Sequence, residues 1–346
     1  TMTRTSGAAA HRLIRKHTRR LRRSETSFVP RAAAAAPIGS AAAKIVEVLF
    51  SIKPLFKMAS DNARQMMVER GETMGIAWGA EEQRLSKAEW EELRASVTNP
   101  ELAMPSYYEL PFHAYDLGNL TWDAAWEAEA AAKTVHAPVF DPDGKALDAG
   151  GDDRLRSELH IAADSLLEGR AASPEAILDV GCSVGLSSDA LRRAYGPETH
   201  ITGVDLSDYM LAVAERRRRA CGDENRAYVH AAGEATPLAP ESVDLVSVCL
   251  VCHELPESAI AAIASEAQRV LRPGGALLIG EMDPSSAFFA KLVANPFAFT
   301  AFKATEPWFT EYADCDLKKV MREAGFDAPK DKVISPRHRA WVAHKP

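Results

Sequence analysis

Ile177-Leu178-Asp179-Val180-Gly181-Cys182-Ser183-Val184-Gly185 decides how this chain folds. A short apolar run with one carboxylate passes straight into a turn with two glycines, and Asp189 to Tyr195 then read as a helix. Glycines at such a place let the backbone turn sharply and approach a ligand closely. Downstream, Ile201-Thr202-Gly203-Val204 is a second strand ended by Asp205, and Met210 to Ala220 a second helix. Tyr228-Val229-His230 and Val243 to Val251 are the third and fourth strands. A helix over Ala259 to Leu271 is stopped by Pro273-Gly274-Gly275, and Ala276 to Ile279 form a fifth strand. Strands alternating with helices imply an α/β chain with a parallel, doubly wound sheet.

Asp205 stands at a strand tip, where a carboxylate suits the two ribose hydroxyls of an adenosine-containing ligand. The rival ligand is a dinucleotide, whose fingerprint needs glycines at its first, third and sixth positions. Here those positions hold Gly181, Ser183 and Leu186, so two of the three fail. The chain also has no phosphate-binding loop ending in Gly-Lys-Ser or Gly-Lys-Thr.

Several stretches in the same order resemble the class I S-adenosylmethionine-dependent methyltransferases, and among them the type 11, quinone-methyltransferase-like branch. Ile177 to Gly185 resembles motif I, and Gly203 to Ser207 the acidic strand end. Ala231 to Leu238 resembles the segment lining the adenine, and Val243 to Pro256 motif IV. Arg269 to Gly275 resembles the loop before strand five, and Leu317 to Phe326 the helix before strand six. The resemblance covers about 155–346 and implies a Rossmann-like, seven-stranded sheet, mostly parallel, with Trp341-Val342-Ala343 in an antiparallel last strand. It implies that Asp179, Gly181, Ser183 and Gly185 hold the methionine part of the cofactor. Asp205 and Leu206 would take ribose and adenine, with Gly233, Glu234 and Leu250 completing the cofactor site. Ser183 stands where the family carries a glycine, so it must tolerate the dihedral angles of that loop.

Methyl transfer needs alignment above all, and a base only where the acceptor must lose a proton. The candidate base is His253, just past the fourth strand at the ligand-binding end of the sheet, with Glu254 as its orienter. The plainer alternative is that both residues cap the next helix. No metal ligand set stands out, and five irregularly spaced cysteines make neither a disulfide framework nor a zinc site.

The residues before the sheet form three segments. The first 40 are basic, with Arg4, Arg12, Arg15, Lys16, Arg19, Arg20, Arg22, Arg23 and Arg31 against one acid, Glu25. An Arg-rich, acid-poor, Ser-containing start reads as an organelle transit peptide, here with a plastid-like Val29-Pro30-Arg31-Ala32, or else as a disordered basic arm. Residues 41–150 read as a helical extension. Within 41–58, Ile45, Val48, Leu49, Ile52 and Phe56 share one helical face, suited to docking on the sheet or lying on a membrane surface, with Pro54 as a kink. Ser86-x-x-Glu89 is a capping box, and Thr121 an N-cap. The aromatic stretch from Tyr107 to Trp126 is either core or an acceptor pocket with Tyr107, Tyr108 and His113 as polar contributors. Residues 151–346 make the catalytic domain.

A net charge of −7 gives no argument for nucleic acid as a partner. The expectation is a plastid enzyme, stromal or peripheral to the thylakoid, methylating a small, lipophilic acceptor at oxygen or carbon. A protein side chain or RNA as acceptor, and a non-catalytic assembly factor, are the alternatives.

Overall fold

The computed structural model describes residues 53–109, 115, 117–168 and 173–346. The basic first 40 residues, most of the amphipathic segment 41–58 and His113 lie outside the described residues.

The described chain before the sheet forms helices α1 (Lys53–Thr73), α2 (Lys87–Val97) and α3 (Trp122–His136). Pro54 falls in the first turn of α1, where a missing N–H costs nothing. The capping box is present: Ser86 Oγ accepts the Glu89 N–H, and Glu89 Oε2 accepts the Ser86 N–H at 2.7 Å. Thr121 Oγ1 accepts the Ala124 N–H at 3.2 Å and opens α3.

Helix α4 (Gly151–Leu167) leads into β1 (Ala176–Val180), α5 (Leu186–Tyr195), β2 (His200–Asp205), α6 (Asp208–Cys221) and β3 (Arg226–His230). Then come β4 (Val243–Cys249), α7 (Glu257–Val270) and β5 (Leu271–Met282). Four short helices follow, α8 (Ala287–Ala294), α9 (Pro296–Thr305), α10 (Phe309–Asp314) and α11 (Leu317–Glu323), then β6 (Lys330–Ser335) and β7 (His338–His344).

These strands form one seven-stranded sheet in the order β3-β2-β1-β4-β5-β7-β6. Strands β1 to β5 are parallel, and β7 runs antiparallel between β5 and β6. The architecture is the Rossmann-like doubly wound α/β sheet with one reversed strand. The chain winds outward from β1 to β3, then returns to β4 on the other side of β1. The carboxyl ends of β1 and β4 therefore flank the crevice in which such sheets bind ligands. Met282 pairs with His338, so the reversed strand begins at that same end.

Alternation along the strands sends neighbouring side chains to opposite faces. Leu277 and Ile279 join one core cluster with Val246 and Val248; Ala276 and Leu278 join a second with Ile177 and Leu245. Each such leucine or isoleucine contributes roughly 1.5–3 kcal/mol of burial. A third cluster unites the two parts of the chain: Trp90, Leu93 and Ala124 pack with Val184, Met210 and Val213. Trp122 and Trp126 stack at 5.2 Å against it. His230 ties the parts together as well, its Nδ1 accepting the Asn99 N–H at 2.9 Å while Nε2 lies 3.0 Å from the Leu206 carbonyl.

Two features depart from expectation. Pro273-Gly274-Gly275 does not precede the fifth strand but lies within it: β5 pairs with β4 at Leu271 and again from Ala276, with a register shift between. A residue without an N–H and a glycine at φ +79° make an irregularity of this kind natural. Helices α8 to α10 were not anticipated, and they bring Phe289, Phe299, Phe309 and Tyr312 into the core.

Candidate functional site

The carboxyl ends of β1, β2 and β4 open onto a cavity of about 630 Å³. Its floor is the turn after β1. Gly181 and Gly185 hold φ of +66° and +86°, and a Cβ on either would run into Val251 or the Tyr228 hydroxyl. Ser183 adopts φ +49°, so it does tolerate the left-handed conformation of this loop. Its hydroxyl approaches Met210 Sδ at 3.5 Å. Gly233 has no room for a Cβ beside Val180, and Leu250 is left-handed at φ +60°.

Two carboxylates sit at neighbouring strand tips. Asp179 is fully buried, and its Oδ2 accepts the Ser187 and Ser188 hydroxyls at 2.7 and 2.6 Å. Its Oδ1 has no partner. Burial pushes this carboxyl up to about 6, against the two serines, Arg156 and Arg226. A buried acceptor left without a donor is costly, and a donor brought to Oδ1 would relieve that cost. Asp205 Oδ2 accepts the Ser183 N–H and Oδ1 the Ser207 N–H, both at 2.8 Å.

Tyr107 and Tyr108 form a 3-10 turn, Ser106–Tyr108, laid against these groups. Tyr107 donates to Glu234, and Tyr108 donates to Asp205 Oδ1 at 3.3 Å. Both tyrosines line the cavity, with their hydroxyls bonded to carboxylates on its sheet side. A carboxylate offers about four acceptor positions. Three on Asp205 are taken, by the Ser183 and Ser207 N–H groups and the Tyr108 hydroxyl.

His253 lies in the 3-10 turn Cys252–Glu254, buried at the cavity wall. Its orienting partner is Glu281 at the tip of β5: Nδ1 lies 2.9 Å from Glu281 Oε1. Glu254, expected to orient the ring, instead lies 3.9 Å from Nε2, as does Glu306 just past the end of α9. Glu281 lies beneath the turn, whereas its neighbour in the turn cannot reach Nδ1. Burial lowers this imidazole, but Glu281, Glu306 and Glu254 outweigh it and raise it to about 10. The ring therefore carries its charge at neutral pH.

Sequence reasoning missed Arg156, Glu281 and His338. Arg156 lines the cavity and is held by Asp152 Oδ2 at 2.9 Å, with His136 on the other oxygen at 2.7 Å. The i,i+4 spacing of Asp152 and Arg156 was the available signal. His338 at the start of β7 lines the cavity, with Nδ1 2.9 Å from Ser335 Oγ. Burial drives it well below the ordinary histidine value, and the nearby His136 and His253 add to this.

Residues 177–275 match the family model of the methyltransferase domain. The chain is similar to the arsenite methyltransferase of Halobacterium salinarum, 29% identical over 165 residues, 46% of this chain and 40% of that protein. It is similar to the demethylmenaquinone methyltransferase of Staphylococcus aureus, 30% identical over 164 residues, 43% of this chain and 66% of that protein. It thus spans less than two thirds of either relative. Among solved structures, the phosphoethanolamine N-methyltransferase 2 of Haemonchus contortus in complex with S-adenosyl-L-methionine has a TM-score of 0.43 at 17% identity, over 55% of this chain and 52% of that one. The sheet and the site define the class: a Rossmann-like chain with a methyltransferase domain.

Proposed function

We propose that the protein transfers the methyl group of S-adenosylmethionine to oxygen or carbon of a small, lipophilic acceptor. The observation that carries this reading is the continuity of the cavity. Asp205, Gly181 and Ser187, whose hydroxyl bonds the buried Asp179, line it together with Met66, Trp78, Phe288 and Phe302. A donor site thus opens directly onto a mostly apolar lobe of the size small-molecule pockets have. A relative named for demethylmenaquinone, a quinone, supports a lipophilic acceptor.

The cofactor supplies an electrophilic sulfonium methyl. The chain's own residues hold and align. Asp179 Oδ1 takes the amino group, and the guanidinium of Arg156, held by Asp152 through Nε, takes the carboxylate. Asp205 holds the ribose once Tyr108 has yielded, and Leu206 packs on the adenine. On the acceptor side, His253 keeps its proton and stabilises the acceptor oxygen as an anion. His338, the neutral ring in the same cavity, offers a hydrogen bond to the acceptor without adding charge. Alignment of this kind contributes about 7–11 kcal/mol without further chemistry.

The basic, acid-poor start of the chain supports a plastid location, and N-terminal sequencing of the mature protein tests it. Calorimetry with S-adenosylhomocysteine tests the cofactor site. Radiolabelled methyl transfer into plastid extract, sorted into lipid, protein and RNA fractions, tests the acceptor. Label confined to protein or RNA, or no transfer by a chain that binds the cofactor, would refute the reading.

A further inference from the structure

We propose that the acceptor lobe recognises a carboxylate through Arg337 and Arg70, so that the molecule methylated is a lipophilic acid. This rests on the reading of that lobe as the acceptor site. Arg337 lies in the turn between β6 and β7 with its backbone pinned. Its N–H donates to Ser335 Oγ at 3.1 Å, and its carbonyl accepts the Asp283 N–H at 2.8 Å. The guanidinium carbon sits 4.0 Å from the centre of the Phe288 ring, and one terminal nitrogen donates to the Pro138 carbonyl at 3.1 Å. The Nε–H is buried and has no partner. Arg70, in the last turn of α1, lines the same lobe. The two are close enough that Arg70 adds to burial in lowering Arg337.

Charge matching singles out this pair. The other arginines lining the cavity are already neutralised, Arg64 by Glu127 and Arg156 by Asp152. Among the described residues, neither Arg70 nor Arg337 forms an ion pair. Asp141 is the carboxylate that favours the charge on Arg337, but its oxygens are engaged by the N–H groups of Asp143, Lys145 and Ala146. Two cations and an unfilled donor thus border an apolar lobe. A buried donor left unfilled is costly, and a guanidinium matches a planar carboxylate in two-point geometry. The donor's own carboxylate has Arg156, beside Asp179.

The test uses the full chain and two isosteric probes, 2-naphthoate and neutral 2-naphthamide, titrated by calorimetry at pH 7.5 after saturation with S-adenosylhomocysteine. The acid should bind roughly ten-fold or more tighter than the amide. Arg337→Gln and the exposed Arg70→Gln should each remove most of that preference while leaving the amide and S-adenosylhomocysteine unchanged. Retained affinity for the latter shows that a variant is folded, and Arg70→Gln supplies the case free of packing change. Equal binding of acid and amide to the wild type overturns the proposal. So does a preference that survives both substitutions, or a folded variant that loses S-adenosylhomocysteine, which would assign the pair to the donor. No S-adenosylhomocysteine binding by the wild type would instead sink the functional reading beneath it.

Discussion

Replacing Asp179 with asparagine should make the empty protein more stable and the cofactor site worse. The carboxyl is wholly buried, and burial raises it to about 6. An unfolded aspartate ionises near 3.9, so above pH ~6 the charged form costs the folded state about 3 kcal/mol. The cost vanishes below about pH 4, where the group is protonated in both states, and is complete above about pH 6. Asparagine keeps the shape and an oxygen for the Ser187 and Ser188 hydroxyls, but carries no charge. The ligand-free variant should therefore gain up to about 3 kcal/mol at pH 7.5 and nothing near pH 4. Affinity for S-adenosylhomocysteine should fall by about 2 kcal/mol or more, some 30-fold, because a buried charge partner for the amino group is lost. Urea unfolding at the two pH values and calorimetry at pH 7.5 measure both effects. A variant that is less stable at pH 7.5 and binds as well as the wild type would show that Asp179 supports the fold rather than the ligand.

Removing His253 alone leaves Glu281, which is fully buried, without its partner. His253→Ala should cost about 3–5 kcal/mol in denaturant unfolding, and the double change with Glu281→Ala clearly less than the sum. Strict additivity would contradict the pairing. Because His253 is raised to about 10 in the folded chain, its contribution is complete below about pH 6.5 and fades as pH climbs through 10. A stability difference between wild type and the double variant that stays flat from pH 7 to 10 would argue against a charged ring. Tyr108→Phe frees one acceptor position on Asp205. S-adenosylhomocysteine should then bind as tightly as before or up to about ten-fold tighter. A larger loss would mean that Tyr108 grips the ligand itself.

What was legible in the sequence was whatever local chemistry announces. Asp179 and Asp205 end apolar strands beside glycines or a helix start, and each stands at the crevice the topology creates. The capping box at Ser86 and the cap at Thr121 are contacts within a few residues, so spacing alone reveals them. Glu281 carries the same signal more faintly, because Gly280 interrupts the apolar run between Ile279 and the carboxylate. The pairings of Tyr107 with Glu234 and Tyr108 with Asp205 are of another kind. They join residues 127 and 97 apart in the chain, and no single sequence encodes such partners in its spacing. The residue types were visible there, and the geometry was not.

The acceptor wall is the extreme case. Phe288, Phe289 and Phe302 come from the short helices α8 and α9, whose stability rests on packing their aromatic rings against the cavity and core. A donor site repeated across a fold is written in strand tips and turns. The apolar lobe proposed to take the acceptor is assembled from side chains far apart in sequence, from α1, α9 and the turn before β7. Specificity in this chain is therefore carried by long-range packing, and substitutions there should alter which molecule binds while leaving the sheet and its carboxylates intact.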